Sequence, residues 1–228
     1  MKSVIVIPTY NEAENIQPLI HAIRDSAPSL DIIVVDDGSP DGTGDLAAAL
    51  ERVHVIQRGA KLGLGTAYVA GYSFALAEGY DAIGGMDADF SHDPKVLPAL
   101  FGLLDAYDVG IGARYVDGGG TVNWGLNRRI LSRGANMVAK GMLKLTAHDV
   151  TSGYRCYRGE VLKAIDVSTI RSEGYSFLVE LLYRCASAGF RIGETPIMFE
   201  DRRHGFSKLD KREIWKGMTT LARLRFRG

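Results

Sequence analysis

The chain has 228 residues, 46% hydrophobic and 24% charged, with a mean hydropathy near zero, which suits one domain with or without an appendage and excludes the disordered, collagen-like and membrane-embedded classes. No apolar run approaches the ~18 residues of a spanning helix, and the run at 4–7 is cut short by Pro8, so neither an anchor nor a signal-peptide core is expected and the default compartment is the cytosol. The 27 basic residues balance 27 acidic ones, yet residues 1–110 hold six basic against sixteen acidic, so a −10 half cancels a +10 half, an asymmetry that points to nucleic acid, an anionic membrane surface or a phosphorylated substrate as partner.

In chain order, short apolar and mostly β-branched runs at 4–7, 32–35, 53–56, 82–86 and 109–113 read as strands. Between them Ile16, Leu19, Ile20 and Ile23 recur at helical spacing, with Asn15 as N-cap and Pro18 within the first turn. Residues 67–77 and 96–104 are helical as well, the latter opened by Asp93 as cap and Pro94 as first residue. This alternation predicts an α/β fold, a mainly parallel sheet with helices on both faces.

Beyond Gly125 a basic helical stretch sets Arg128, Arg129 and Arg133 beside Ile130, Leu131, Val138, Met142 and Leu143. The last stretch repeats the pattern, with Ile214, Trp215, Met218, Leu221, Leu224 and Phe226 among lysines and arginines. Such faces suit a helix packed on a core or one lying at a membrane interface, and their recurrence favours the membrane surface. The organisation expected is one domain over 1–208 and a basic amphipathic helix over 209–228. Cys156 and Cys185 are too few for a disulfide framework and read as reduced core residues.

Ligands of open α/β sheets bind at the carboxyl ends of the strands, and there the chain carries Tyr10 and Glu12, then Asp36 and Asp37, then Arg58 and Lys61, then Asp87 and Asp89, then Arg114. Carboxylates gathered on one edge repel unless a cation or donor groups lie among them. The pair Asp87 and Asp89 at a strand end suits a hard divalent cation, to which Ser91 could add a hydroxyl, and it equally suits an acidic capping turn; His92 reads as a supporting side chain rather than a ligand. Asp36-Asp37-Gly38-Ser39 fits hydrogen bonding to a nucleotide and also an ordinary turn. Gly63-Leu64-Gly65 lacks the third glycine of a dinucleotide site, and Gly118-Gly119-Gly120, followed by no Lys-Ser or Lys-Thr, is a mobile segment near Arg114 rather than a phosphate loop.

The ordered motifs VIVIPTYNEAENI, IIVVDDGSPDGT, KLGLGTAY, MDADFSHDPK, GARY, NRRILSRGAN, DVTSGYRCYR, EGYSF and GETPIMFEDRRHGFSKL span most of the chain. In them it resembles the dolichyl-phosphate (polyprenyl-phosphate) mannose synthases, inverting family 2 glycosyltransferases of the glycosyltransferase A-type fold. The resemblance implies that Pro8, Tyr10, Glu12, Val35 and Asp37 hold the guanosine part of GDP-mannose and that Asp87, Ala88 and Asp89 face the sugar diphosphate. It further implies that Asp89 with Ser91 coordinates Mg²⁺ or Mn²⁺, that Arg114, Arg202 and Lys208 contact phosphates, and that Asp89, Arg202 and Lys208 carry the catalysis. The phosphate of a dolichyl or polyprenyl phosphate is expected near Arg114, Arg128 and Ser132. Some relatives carry Gln in place of Ser91, and many append membrane helices or recruit small anchoring subunits. Attachment here is therefore expected to be peripheral, on the cytosolic face of a membrane, or borrowed from such a subunit. The alternatives are UDP-glucose as donor, or a non-catalytic sugar-nucleotide-binding subunit, whose hallmark would be loss of Asp89 or of the late basic residues. A nucleic-acid partner fits the basic tail but not the acidic pocket and is not expected.

Overall fold

Consecutive residues of the first strand point into two different cores, which is what a strand buried on both faces requires. In the computed structural model, which describes residues 1–200 and 211–227 without the side chains of 175, 211–216 and 227, β1 (Ser3–Thr9) sends Val4 and Val6 to one face and Ile5 and Ile7 to the other. The strands β2 (Asp31–Asp36), β3 (Val53–Gln57), β4 (Ala82–Gly85) and β5 (Val109–Ala113) follow from the remaining apolar runs. They join β7 (Arg155–Arg158) and β8 (Ile192–Pro196) in a seven-stranded sheet ordered β3-β2-β1-β4-β7-β5-β8. All neighbours are parallel except β7, which is antiparallel to β4 and to β5. A separate parallel pair is formed by β6 (Gly120–Val122) and β9 (Met198–Glu200).

Helix α1 (Ala13–Ser26) covers one face with Ile16, Leu19, Ile20 and Ile23, joined by Leu97 and Leu100 of α4 (Leu97–Gly102). The helix starts two residues before Asn15: the Glu12 carbonyl accepts the N–H groups of Asn15 (3.0 Å) and Ile16 (2.9 Å), and Asn15 is a buried helical residue rather than the cap. Pro18 is therefore the sixth helical residue, inside the helix and beyond the first turn. At α4 the Asp93 carboxylate accepts the Lys95 N–H at 3.0 Å, as a cap should, and tight turns at Pro94–Val96 and Leu103–Asp105 flank a short helix.

The other face is covered by α3 (Leu64–Ala77) and α7 (Tyr175–Ser187). A Cβ on Gly71 of α3 would lie 2.4 Å from Val6 Cγ1 and 3.0 Å from Val35 Cγ2, so only glycine lets this helix approach the sheet so closely. Short helices α2 (Thr43–Ala48) and α6 (Gly159–Ala164) complete the layers.

The two basic segments are helices α5 (Leu126–Leu143) and α8 (Lys211–Arg227); residues 209 and 210 lie outside the described residues. Helix α8 packs against α5 and α7, burying Leu221 and Leu224. Arg223 Nη2 donates to Ser172 Oγ (2.7 Å) and Glu180 Oε2 (2.8 Å). No helix among the described residues is long and apolar enough to cross a membrane. Both cysteines are buried and free, and Gly120 of the triple-glycine run begins β6 instead of lying in a loop.

Candidate active site

The ends of β1, β2, β4 and β5 open onto a single cavity of about 610 Å³. Of the residues the sequence singled out, Pro8, Tyr10, Glu12, Asp37, Asp87, Ala88, Asp89, Ser91, Arg114, Arg128 and Ser132 all line it. Val35 does not: it is fully buried in β2, with its side chain against α3. Arg202 and Lys208 lie outside the described residues.

At one end Lys61 Nζ sits 3.9 Å from the centroid of the Tyr10 ring, a cation–π contact. Asp37 is a tie point: Arg58 engages Oδ1, and the backbone N–H groups of Leu62 and Gly63 both reach Oδ2 at 3.1 Å. Its neighbour Asp36 accepts from Thr9 Oγ1 (2.9 Å), the Ser39 N–H (2.9 Å) and Gln57 Nε2 (3.2 Å). The acidic pair therefore knits the ends of three strands together, with Gly38 at φ +70 supplying the left-handed residue of the turn.

In the middle, the Asp87 N–H donates to His92 Nδ1 at 3.1 Å, and Tyr68 donates its hydroxyl to Asp87 Oδ1 at 3.3 Å. This leaves the His92 proton on Nε2. The ring is stacked on Tyr154 at 4.8 Å, and burial holds its pKa below the ordinary 6.5 although Asp87 and Asp89 pull the other way. Ser91 donates both its N–H and its hydroxyl to Asp89 Oδ1, so in this structure that hydroxyl is turned onto the carboxylate. No three His, Cys, Asp or Glu side chains converge on one point among the described residues. Asp87, Asp89 and Ser91 all line this part of the cavity, oxygen donors of the kind a hard divalent ion takes when substrate phosphate and water complete its shell.

At the other end Arg114 is buried and makes a bidentate pair with Asp149, Nε to Oδ2 at 2.7 Å and Nη2 to Oδ1 at 2.8 Å, with Thr151 Oγ1 also at 2.8 Å. Burial works to raise the Asp149 pKa, but the Arg114 hydrogen bonds and charge outweigh it and hold the carboxyl below its ordinary value. Arg128 lies 4.1 Å from the centroid of a Trp124 ring, and Ser132 Oγ is 2.8 Å from the Tyr115 hydroxyl. From here the cavity runs on between α5, α7 and α8 along Leu131, Val138, Leu178, Met218 and Leu221, an apolar wall.

Asp149, Thr151 and Trp124 are site residues that the sequence reading did not single out. An acid in the basic half, within the motif DVTSGYRCYR that follows Arg114, was the available signal for Asp149.

The family model for glycosyl transferase family 2 matches residues 4–166. Over 233 residues the chain is 44% identical to a polyprenol monophosphomannose synthase of Mycolicibacterium smegmatis, covering 100% of this chain and 88% of the relative. It is 43% identical over 227 residues to an undecaprenyl-phosphate mannosyltransferase of Micrococcus luteus, covering 98% and 93%. A glucosyl-3-phosphoglycerate synthase from Mycobacterium tuberculosis, crystallised with Mn²⁺, UDP and phosphoglyceric acid, shares the fold at a TM-score of 0.72 and 21% identity, over 99% of this chain and 79% of that one.

Proposed function

The chain belongs to glycosyl transferase family 2, and from that premise we propose that it transfers mannose from GDP-mannose to a polyprenyl phosphate, with inversion, at the surface of a membrane. The observation that carries this reading is the course of the cavity: it begins among carboxylates at the strand ends, passes Arg114, Arg128 and Ser132, and ends along an apolar wall between helices. That sequence of linings matches, in order, a nucleotide sugar, an acceptor phosphate and a prenyl chain.

Pro8, Tyr10 and Glu12 flank the guanosine end, and Asp37 holds the 58–63 loop beside it. Asp89 with Ser91 would hold Mg²⁺ or Mn²⁺ beside Asp87, and the ion when bound would neutralise the charge that builds on the departing diphosphate. His92 fixes the backbone from which Asp87 projects. An acceptor phosphomonoester with its second pKa near ~6 is largely dianionic at neutral pH and needs orienting more than deprotonating. Arg128 and Ser132 supply that orientation, and Arg114 is aimed by Asp149. Arg202 and Lys208 join the phosphate contacts in this reading. The exposed apolar residues Leu126, Ile130 and Met137 of α5 support peripheral attachment to lipid, with or without a small anchoring subunit.

The test is transfer of labelled sugar from GDP-mannose, with UDP-glucose in parallel, to a polyprenyl phosphate in detergent, with Mg²⁺ or Mn²⁺ and with EDTA. The expected outcome is organic-extractable mannolipid from GDP-mannose alone, abolished by EDTA. Label from UDP-glucose alone overturns the donor, and product formed equally well in EDTA overturns the metal.

A further inference from the structure

A second cavity, of about 210 Å³, lies along another flank of α5 and shares Arg114 and Trp124 with the first. Arg128 and Ser132, one turn apart, face the larger cavity; Arg129 and Arg133, one residue further round at each turn, line the smaller. Among the described residues Arg129 makes a single long hydrogen bond, Nη2 to the Thr121 carbonyl at 3.4 Å, and the Arg133 guanidinium lies 5.9 Å from the Tyr115 ring centroid. Among the described residues neither has a carboxylate within ion-pair distance, whereas Arg114 in the same wall is neutralised by Asp149.

The Trp124 indole N–H points to the same conclusion. Trp124 is 8% exposed, and its Nε1 has no acceptor among the described residues. A buried donor left unpaired is costly, and an oxygen-rich anion in this cavity would meet that need together with two planar guanidinium forks, which suit phosphate oxygens. The apolar side chains Leu126, Ile130 and Met137 follow next round the helix, exposed by 71%, 62% and 71%. A helix that lies on lipid by that stripe brings its arginine flank to headgroup level.

We infer that this cavity is a second anion site, distinct from the acceptor-phosphate position, and that it takes the phosphate of a phospholipid headgroup. The experiment uses the full chain carrying Trp215→Phe, which leaves Trp124 as the sole tryptophan of the two. Titration with inorganic phosphate is expected to give a saturable change in Trp124 emission. That change is lost in the Arg129→Gln/Arg133→Gln pair, and lost as well in Arg129→Lys/Arg133→Lys, which keeps the charge but not the fork. Binding to phosphatidylglycerol vesicles over phosphatidylcholine vesicles should fall about 30-fold in the Gln pair, the order expected for two basic side chains at an anionic surface. A response that does not saturate, or that survives in the Gln pair, overturns the site. A Lys pair that binds inorganic phosphate like the parent reduces it to diffuse attraction and also overturns it. Saturable phosphate binding with an unchanged vesicle preference overturns the lipid headgroup and leaves free phosphate as the ligand. No arm contains a sugar nucleotide or a polyprenyl phosphate, so failure of mannosyl transfer and failure of this site are separate results.

Discussion

Arg114 spends its guanidinium on Asp149 and Thr151, and this sets what each partner does when removed. Asp149→Asn leaves a buried cation without its counter-charge and is expected to cost about 3–5 kcal/mol at neutral pH, measurable by denaturant unfolding. Because the Asp149 pKa lies below its ordinary 3.8 in the fold, the wild-type advantage over Asp149→Asn is present above that value and is lost as the pH falls through the lower, folded one. Unfolding of both proteins between neutral and acid pH checks the sign. Asp89→Ala, at the cavity wall, is expected to lower kcat by about 10³-fold, on the scale of losing a group that stabilises transition-state charge, while thermal unfolding stays within a few degrees. His92→Ala removes the acceptor of the Asp87 N–H and should cost about 1–3 kcal/mol. His92→Asn, which can offer an oxygen in place of Nδ1, should recover part of it. At this scale the strand-end rule made most of the site legible, since it needs only the residues after each apolar run. Asp149 was not legible because its partner is 35 residues away and meets it only once β5 is paired in the sheet.

Elements were legible in proportion to their apolar content. The runs at 4–7, 32–35, 82–86 and 109–113 became β1, β2, β4 and β5 because residues buried on both faces are apolar throughout, and the run at 53–56 became the half-exposed edge strand β3. By contrast β7 reads Arg-Cys-Tyr-Arg, and its first arginine is fully buried, its Nη1 and Nη2 donating to the carbonyls of Leu178 (2.5 Å) and Val150 (2.7 Å). A strand whose charge is paid for by tertiary hydrogen bonds carries no periodic signal. The start of α1 was misplaced for a related reason: the Glu12 carbonyl opens the helix, and Asn15, polar enough to look like a cap, turns inward to Glu12 Oε2 at 2.8 Å. The packing of α3 gives an element-level prediction. Gly71→Ala must displace Val6 or Val35 and should destabilise by about 1–3 kcal/mol, read from the denaturant midpoint at unchanged slope. On α5, Ile130→Ser/Met137→Ser alters exposed positions, so stability should hold within about 0.5 kcal/mol while sedimentation with lipid vesicles is lost.

Across the whole molecule, the acidic half builds the cavity floor and the basic half builds α5 and α8, which pack together. The formal charge of zero therefore conceals two poles, and binding to anionic vesicles should weaken steadily with added salt, because exposed charges are screened within about 8–10 Å at moderate ionic strength. The position of β7 bears on how the chain acquires its structure. Strands β4 and β5 never touch; residues 155–158 lie between them. A chain emerging from the ribosome thus makes β1 to β5 well before the strand that joins them, and both facing edges stay open in the meantime. Long-range pairing of this kind is slow, and open edges invite aggregation. Cys156, at 0% exposure in the middle of β7, reports the joining event: in a Cys185→Ala background its thiol should stay open to alkylation until the slowest phase of refolding and be protected thereafter.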